Sequence, residues 1–255
     1  MKKIIFLKSL LILCLGCNQT NQTGSETSQA EGVNNEVSAV PAVDSSTTST
    51  NTTSTNSETM RITFDDAPTG KLPQGWSTHK TGQGNTIRWE VVEDAGNKVF
   101  AQLTDNNPSN HFNVATLDNV NAQNVTLETR FKSIKGKIDQ GGGFVWRFKD
   151  ANNYYIVRAN SLEDNVVLYK VENGKRTDLP LVGKGRTYGA DVKVPTNSWH
   201  TIKLEAKDNL FTVFINGKEL FQVEDQTFTS TGKVGFWSKA DAVTYFDDLQ
   251  ITVND

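Results

Sequence analysis

Residues 141–160 read Gly-Gly-Gly-Phe-Val-Trp-Arg-Phe-Lys-Asp-Ala-Asn-Asn-Tyr-Tyr-Ile-Val-Arg-Ala-Asn, the clearest strand pattern in the chain. Two runs rich in aromatic and β-branched residues flank the polar segment 150–153, a pattern typical of two antiparallel strands joined by a turn. The pairing predicted across that turn is Lys149 with Tyr154, Arg147 with Ile156, and Val145 with Arg158. A β-hairpin with two distinct faces follows from this pairing.

The predicted register divides the side chains between the two faces, and a second turn at residues 161–165 extends both. The first face is apolar and is expected to form the core between two sheets: Phe144, Trp146, Phe148, Tyr155, Val157, Ala159, Val167 and Tyr169. The second face mixes charged, polar and apolar residues: Arg147, Tyr154, Ile156, Arg158, Asn160, Val166, Leu168 and Lys170. Such a mixture suits a concave ligand-binding surface. The same mixture of residues is expected if loops cover the apolar side chains and the arginines form structural ion pairs, and the two explanations are equally good.

Strand patterns continue through the rest of residues 61–255. Apolar and polar residues alternate over 125–131 and 202–206. The pairs Asn173-Gly174 and Asn216-Gly217 favour two-residue hairpin turns. Many short strands separated by turn signals predict an all-β sandwich or barrel.

The first seventeen residues are of a different kind. Lys2 and Lys3 precede an apolar run that is too short to span a bilayer, which takes about 20 residues. Residues 1–17 are therefore predicted to be an export signal. Their end, Leu-Cys-Leu-Gly-Cys, resembles the lipobox of bacterial lipoprotein signals, which implies cleavage before Cys17 and lipidation of its thiol. Cys14 stands where that family usually has Leu, and an ordinary signal peptide is the alternative.

Residues 18–60 contain no Lys or Arg and are rich in Ser, Thr and Asn. Such a segment has little to bury, so it is predicted to be a disordered linker before the folded domain at 61–255. With the signal, this organisation predicts an extracytoplasmic protein of the bacterial cell envelope. Its only membrane contact would be the N-terminal lipid.

Charge and cysteine content exclude several function classes. The formal net charge of −3 does not fit a polybasic nucleic-acid-binding protein, so no nucleic-acid partner is expected. Both cysteines lie within residues 1–17, which leaves the mature domain without a disulfide or a catalytic thiol. The domain is expected to be a monomer.

A family resemblance rests on three stretches. Residues 141–160, Trp-His-Thr-Ile-Lys-Leu at 199–204 and Gly-Lys-Val-Gly-Phe-Trp-Ser at 232–238 resemble strands of concanavalin A-like lectin/glucanase sandwiches, in their laminin G-like form. The resemblance covers nearly all of residues 61–255, and its nearest branch is the 3-keto-disaccharide hydrolase-type domain. It implies a concanavalin A-like β-sandwich, or jelly roll, of two antiparallel sheets. It also keeps a glycoside-cleaving hydrolase among the candidate functions.

No linear catalytic motif accompanies this resemblance. The acidic residues do not match Glu-x-Asp-x-x-Glu or Glu-x-Asp-x-Glu, the strand motif of retaining family 16-type glucanases. No Gly-x-Ser-x-Gly is present either, so catalytic residues stay unassigned. No cofactor or metal is expected. The repeated Phe-Asp-Asp at 64–66 and 246–248 nevertheless leaves Ca²⁺ open, because calcium prefers oxygen ligands.

The function predicted from these observations is carbohydrate binding, by a lipid-anchored domain acting in glycan recognition or processing. Sugar recognition uses aromatic platforms together with polar side chains. The candidate ligand-binding residues are Arg147, Tyr154, Arg158, Asn160 and Lys170 on the second face, His111 in a polar loop, and Trp237 and Lys239 near the C-terminus. Two alternatives stay open: a glycoside hydrolase of the 3-keto-disaccharide type on the same face, and an adhesion domain with a protein partner.

Overall fold

A computed structural model describes residues 59–84 and 87–254, and this part of the chain is built from sixteen β-strands. The predicted signal, the lipidation at Cys17 and the predicted linker as far as residue 58 lie outside the described residues. No segment of the described chain forms an apolar helix of membrane-spanning length.

The first sheet contains eight antiparallel strands. They are β1 (Thr59–Ile62), β3 (Trp89–Asp94), β4 (Asn97–Gln102), β6 (Asn124–Lys135), β12 (His200–Lys207), β13 (Leu210–Ile215), β14 (Lys218–Glu224) and β16 (Val243–Asn254). Their order is β14-β13-β12-β6-β16-β4-β3, and β1 pairs with β16. β1 therefore begins two residues before the predicted start of the domain.

The second sheet also contains eight strands. They are β2 (Trp76–Thr81), β5 (Phe112–Ala122), β7 (Gly141–Asp150), β8 (Asn153–Asn160), β9 (Asn165–Glu172), β10 (Lys175–Asp178), β11 (Ala190–Asp191) and β15 (Gly232–Lys239). Their order is β10-β9-β8-β7-β15-β5-β2, and β11 pairs with β9.

The two sheets pack face to face around an aromatic core. Phe236 of the second sheet stacks on Phe246 of the first, with ring centroids 4.3 Å apart, and Trp76 stacks on the other side of Phe236 at 5.3 Å. Phe100 contacts this stack from β4. In the first sheet, β6 and β12 alternate buried residues with more exposed ones, as a sheet packed on one face requires. The predicted all-β sandwich of two antiparallel sheets is confirmed.

The central hairpin departs from its predicted register at a β-bulge. Asp150 opposes Asn153 as expected, but Val145 opposes Ile156 rather than Arg158. Arg147 lies inside the bulge with φ of 46°, a left-handed conformation, and this turns its side chain toward the sandwich interior. Phe148 is displaced to the outer face instead. The predicted faces of these two residues are therefore wrong.

The predicted faces of β9 are also wrong, because the turn before it is one residue shorter than expected. Asn160 opposes Asn165, so four residues form the turn rather than five. A shift of one residue moves every side chain of a strand to the opposite face. As a result, Val166 and Leu168 belong to the core between the sheets, whereas Val167 and Tyr169 share the outer face with Arg158 and Ile156, and Lys170 shares the inner side with Tyr155.

The outer face of the second sheet is curled rather than flat. Thr81, at the end of β2, donates a hydrogen bond to the carbonyl of Ala151 in the β7–β8 turn and shares another with the Tyr154 hydroxyl at 2.5 Å. β2 and β7 are three strand spacings apart in the sheet, about 14 Å if it were flat, so these contacts require strong curvature. The curled face encloses a second apolar cluster: Phe112, Val114, Val145, Phe148, Tyr154, Ile156, Val171 and Trp237.

Candidate functional site

Three of the predicted site residues meet in a buried ion network at one end of the outer face. Arg158 is fully buried, and its Nη2 donates to Glu163 Oε2 at 2.8 Å. Its Nη1 lies 3.6 Å from Asp139 Oδ2, which also receives Lys239 Nζ at 3.0 Å. Asn160 Nδ2 joins the two acids, at 3.3 Å from Asp139 Oδ1 and 3.2 Å from Glu163 Oε1.

The charges of this network neutralise one another. Burial opposes the charge on Arg158, but neighbouring Tyr169, Glu163 and Asp139 outweigh it and raise the pKa of the guanidinium. Burial likewise disfavours the Glu163 carboxylate, yet the hydrogen bonds and charge of Arg158 hold its pKa below the usual range. Both Nη atoms of Arg158 reach the Glu163 carboxylate, whereas its Nε is buried without a partner among the described residues. Because the charges are paired inside the protein, this cluster is mainly an internal brace. That outcome is the structural ion pairing named as the alternative to ligand contact.

Arg147 does not reach the outer face. Its Nε and Nη1 donate to the carbonyls of Gln123 at 2.9 Å and Phe228 at 2.8 Å, and its Nη2 donates to the carbonyl of Asp208. Its guanidinium also lies 5.2 Å from the ring centroid of Phe211. Arg147 is fully buried, so the prediction that it lies on the ligand-facing surface is wrong. It ties three loops together at one end of the sandwich.

The remaining predicted residues lie outside this network. Tyr154, bonded to Thr81, and Trp237 both belong to the second apolar cluster. His111 is buried with Nδ1 2.6 Å from the carbonyl of Gln83, and Lys170 contacts the Thr227 hydroxyl at 2.6 Å on the inner side of the sheet edge. Of the predicted set, the structure thus brings together Arg158, Asn160 and Lys239 in the ion network and Tyr154 with Trp237 in the cluster.

An open cleft lies at the rim of the curled outer face, away from this network. Its volume is about 650 Å³, within the range of small-molecule sites. The lining residues come from β2, β5, β15 and the β7–β8 turn: His79, Asp118, Asn121, Phe148, Lys149, Asp150, Ala151, Thr231, Gly232 and Lys233. Sequence elements more than 150 residues apart therefore build one concave surface.

The cleft combines an aromatic surface with charged walls. The His79 ring packs on Phe148, with centroids 4.7 Å apart, and His79 Nε2 lies 3.0 Å from the Thr116 hydroxyl. On the wall, Asp118 receives Lys233 Nζ at 2.7 Å and the Ser77 hydroxyl at 2.9 Å. Aromatic carbons can pack on an apolar ligand face while the charged groups bond its hydroxyls.

Charge states in the cleft follow from these contacts. Burial lowers the pKa of His79, and the nearby Lys233 charge lowers it further, against the smaller opposing effect of Asp118. Hydrogen bonds from Lys233 and Ser77 lower the pKa of the Asp118 carboxyl. At neutral pH the cleft therefore presents an uncharged imidazole, a carboxylate and an ammonium. Together they offer hydrogen-bond donors and acceptors to a polar ligand.

The cleft has no clear signal in the sequence. His79 lies within β2, but Ser77-Thr78-His79-Lys80-Thr81 is polar throughout and lacks the apolar alternation that marks a half-buried strand. Phe148 is predicted on the core face, and the bulge displaces it outward.

The repeated Asp-Asp pairs give no calcium cage in this structure. Asp247 Oδ2 receives the Asn97 amide at 2.8 Å, and Asp248 Oδ2 receives Arg130 at 2.8 Å. Within the described ranges, no three His, Cys, Asp or Glu residues group as metal ligands. Calcium takes six to eight oxygen ligands, and the Ca²⁺ that the sequence leaves open stays a prediction.

The chain is similar to a known domain family and to several solved structures. A family model for a 3-keto-alpha-glucoside-1,2-lyase-like domain matches residues 60–252. Among solved structures, carbohydrate binding module CBM66 from Bacillus subtilis is similar at 19% identity with a TM-score of 0.53, over 70% of this chain and 95% of that chain. Cellulose induced protein Cip1 is similar at 12% identity with a TM-score of 0.52, over 76% of this chain and 97% of that chain. At these identities the likeness shows a shared fold. No curated protein sequence matches the chain.

Proposed function

Because the chain belongs to the 3-keto-alpha-glucoside-1,2-lyase-like domain family, we propose that it binds carbohydrate in the cleft at the rim of the second sheet. The family match agrees with the resemblance expected from the sequence. The observation that carries the proposal is the cleft itself, an aromatic surface of His79 and Phe148 beside the Asp118–Lys233 pair. CBM66, a carbohydrate binding module, has the same fold.

The physical match is with a sugar ring. A pyranose has an apolar C–H face and a rim of hydroxyls, and it needs an aromatic surface next to fixed donors and acceptors. The uncharged, partly exposed His79 ring supplies the surface, and the buried Phe148 packs against that ring and supports it. Asp118 accepts hydrogen bonds from hydroxyls, and Lys233 donates them, while their mutual ion pair fixes both groups before the ligand arrives.

Location at the cell envelope is part of the same proposal. Its support is the sequence of residues 1–17, with a basic start, a short apolar run and Cys17 at the end. The linker at 18–60 would separate the binding domain from the lipid. Mass spectrometry of the mature protein tests this point: an N-terminal diacylated Cys17 supports it, and any other N-terminus contradicts it.

Binding is tested with a glycan array and polysaccharide pull-downs on the full chain. Lys233→Met removes the ammonium from the cleft and is expected to weaken saccharide binding about tenfold, the loss of one charge-assisted hydrogen bond. Lys203→Met is the matched control, because Lys203 pairs with Glu205 at 2.6 Å with similar exposure on the other sheet. Failure of every glycan to bind would favour the protein-binding adhesion alternative.

A second candidate function is lyase activity in the same cleft, favoured by the lowered pKa of His79. In a 3-keto glucoside the ketone acidifies the C2–H bond. The uncharged His79 would take that proton, the electron pair would form the C1=C2 bond, and the C1–O bond would break to release the aglycone alcohol after it gains a proton. Incubation with 3-keto-glucosides tests this candidate. Turnover that His79→Gln reduces far more than it reduces saccharide affinity supports it, and absence of turnover contradicts it.

A further inference from the structure

Arg176 is an unusual feature of the outer face. It lies in β10, and its guanidinium packs over three aromatic rings. The guanidinium carbon is 4.4 Å from the ring centroid of Tyr169, 5.2 Å from that of Phe112 and 5.9 Å from that of Trp237. These rings come from three other strands, β9, β5 and β15, so the position of the guanidinium is fixed by the fold.

This guanidinium has no acceptor. Within the described chain Arg176 donates no side-chain hydrogen bond and forms no ion pair, and its Nη1 is buried without a partner. The acid two residues along the same strand, Asp178, pairs with Arg186 at 2.8 Å instead. The other two arginines in the strands of this sheet differ, because Arg147 donates to three carbonyls and Arg158 donates to carboxylates.

Local charge makes this arrangement attractive to an anion. Tyr169 lies between two guanidinium groups, with that of Arg158 at 5.7 Å and that of Arg176 at 4.4 Å from its ring centroid. Arg158 is neutralised by Glu163 and Asp139, whereas Arg176 keeps its charge. A partly buried guanidinium with free donors gains most from a planar oxyanion that accepts two parallel hydrogen bonds.

A neighbouring exposed ring indicates what carries the oxyanion. Tyr188 packs edge-on against Tyr169, with centroids 6.0 Å apart, and its hydroxyl accepts a hydrogen bond from Tyr169 at 3.1 Å. Tyr188 is 45% exposed. An open aromatic face beside an unpaired guanidinium suits a sugar ring bearing a carboxylate, more than it suits a small free ion.

We propose that Arg176 is a carboxylate-binding subsite, and that the saccharides this domain prefers contain uronic acid. The inference rests on the proposed carbohydrate binding and specifies its ligand class. Arg176 bonds the carboxylate, Tyr188 packs on the sugar ring, and Trp237 lies beneath the guanidinium.

The test uses the full chain and paired ligands. Oligogalacturonate, oligomannuronate and oligoglucuronate are titrated by calorimetry, each beside its carboxyl-reduced neutral form. At least one acidic oligosaccharide is expected to bind about tenfold more tightly than its reduced form. Arg176→Met should abolish that preference and leave the affinity for the reduced form unchanged. Arg176→Lys should keep only part of the preference for the acidic form, because an ammonium cannot make the bidentate contact.

Lys175→Met is the matched control, since Lys175 is the exposed cation next to Arg176 on the same strand. It should keep the full preference for the acidic form. Equal binding of acidic and reduced forms, or a preference that survives in Arg176→Met, overturns the subsite while leaving carbohydrate binding intact. Binding of sodium sulfate or acetate alone, with no oligosaccharide bound, overturns the subsite and the proposed function together.

Discussion

Replacing Arg147 by Met separates the structural role of this residue from the ligand-binding role that its sequence context indicated. The substitution keeps most of the apolar stem and removes the guanidinium, which lies over the Phe211 ring. Three carbonyls, those of Gln123, Asp208 and Phe228, then lose their donor. The saccharide cleft is lined by other residues, so it should be unaffected.

The size of the effect follows from the surroundings of each carbonyl. Phe228 is buried, so its orphaned oxygen costs about 1–3 kcal/mol. Asp208 is exposed and Gln123 half-buried, so water can replace the lost donor there, at about 0.5–1 kcal/mol each. The total is about 2–5 kcal/mol, which lowers the Tm of a domain of this size by about 10 °C.

Urea and thermal unfolding monitored by circular dichroism measure this loss. Arg186→Met is the control, because Arg186 is an exposed arginine whose ion pair with Asp178 should contribute less than about 1 kcal/mol. Saccharide affinity of Arg147→Met should match that of the original chain. Stability equal to that of the Arg186 variant, together with lost saccharide binding, would refute the assignment of Arg147 to the interior.

Three further predictions concern other parts of the fold, each measured by urea unfolding. Gly143→Ala should lower the free energy of unfolding by about 3 kcal/mol or more, because the new Cβ would lie 2.1 Å from a neighbouring carbonyl oxygen. Gly217 has a φ of 77° and open space around it, so Gly217→Ala should lower that free energy by only about 1 kcal/mol. Equal losses in the two variants would contradict this reading of the backbone contact. Burial lowers the pKa of His111 below 6.5, so the folded state binds fewer protons than the unfolded state. The free energy of unfolding should therefore fall as the pH drops below 6.5. His111→Gln should flatten this pH dependence, and an unchanged slope would contradict the prediction. Glu163→Gln weakens the ion pair of the buried Arg158 and should lower the free energy of unfolding by about 2 kcal/mol at pH 7. An unchanged free energy of unfolding would show that the network does not brace the sheet.

The architecture could be predicted because it depends on patterns that survive small errors. Alternating residues in β6 and β12, and the Asn216-Gly217 turn, indicate antiparallel strands whatever their exact pairing. A concentration of aromatics in the central hairpin correctly indicates a core between two sheets. These signals are local, and each strand carries its own.

The face of the sheet on which each side chain lies could not be predicted, because it depends on single residues in turns and bulges. One residue fewer in the turn before β9 exchanged the faces of Leu168 and Tyr169. The bulge at Arg147 has a non-glycine residue at positive φ, which no turn motif announces. The cleft depends on the curvature of the whole sheet, which brings His79 against Phe148, and no local pattern encodes that contact.

A crystal structure of the chain with a saccharide selected by glycan array would locate the binding site. The sugar should lie in the cleft, with a ring packed on His79 and its hydroxyls bonded to Asp118 or Lys233. A saccharide bound on the first sheet, or at an edge loop away from the second sheet, would contradict binding in the cleft.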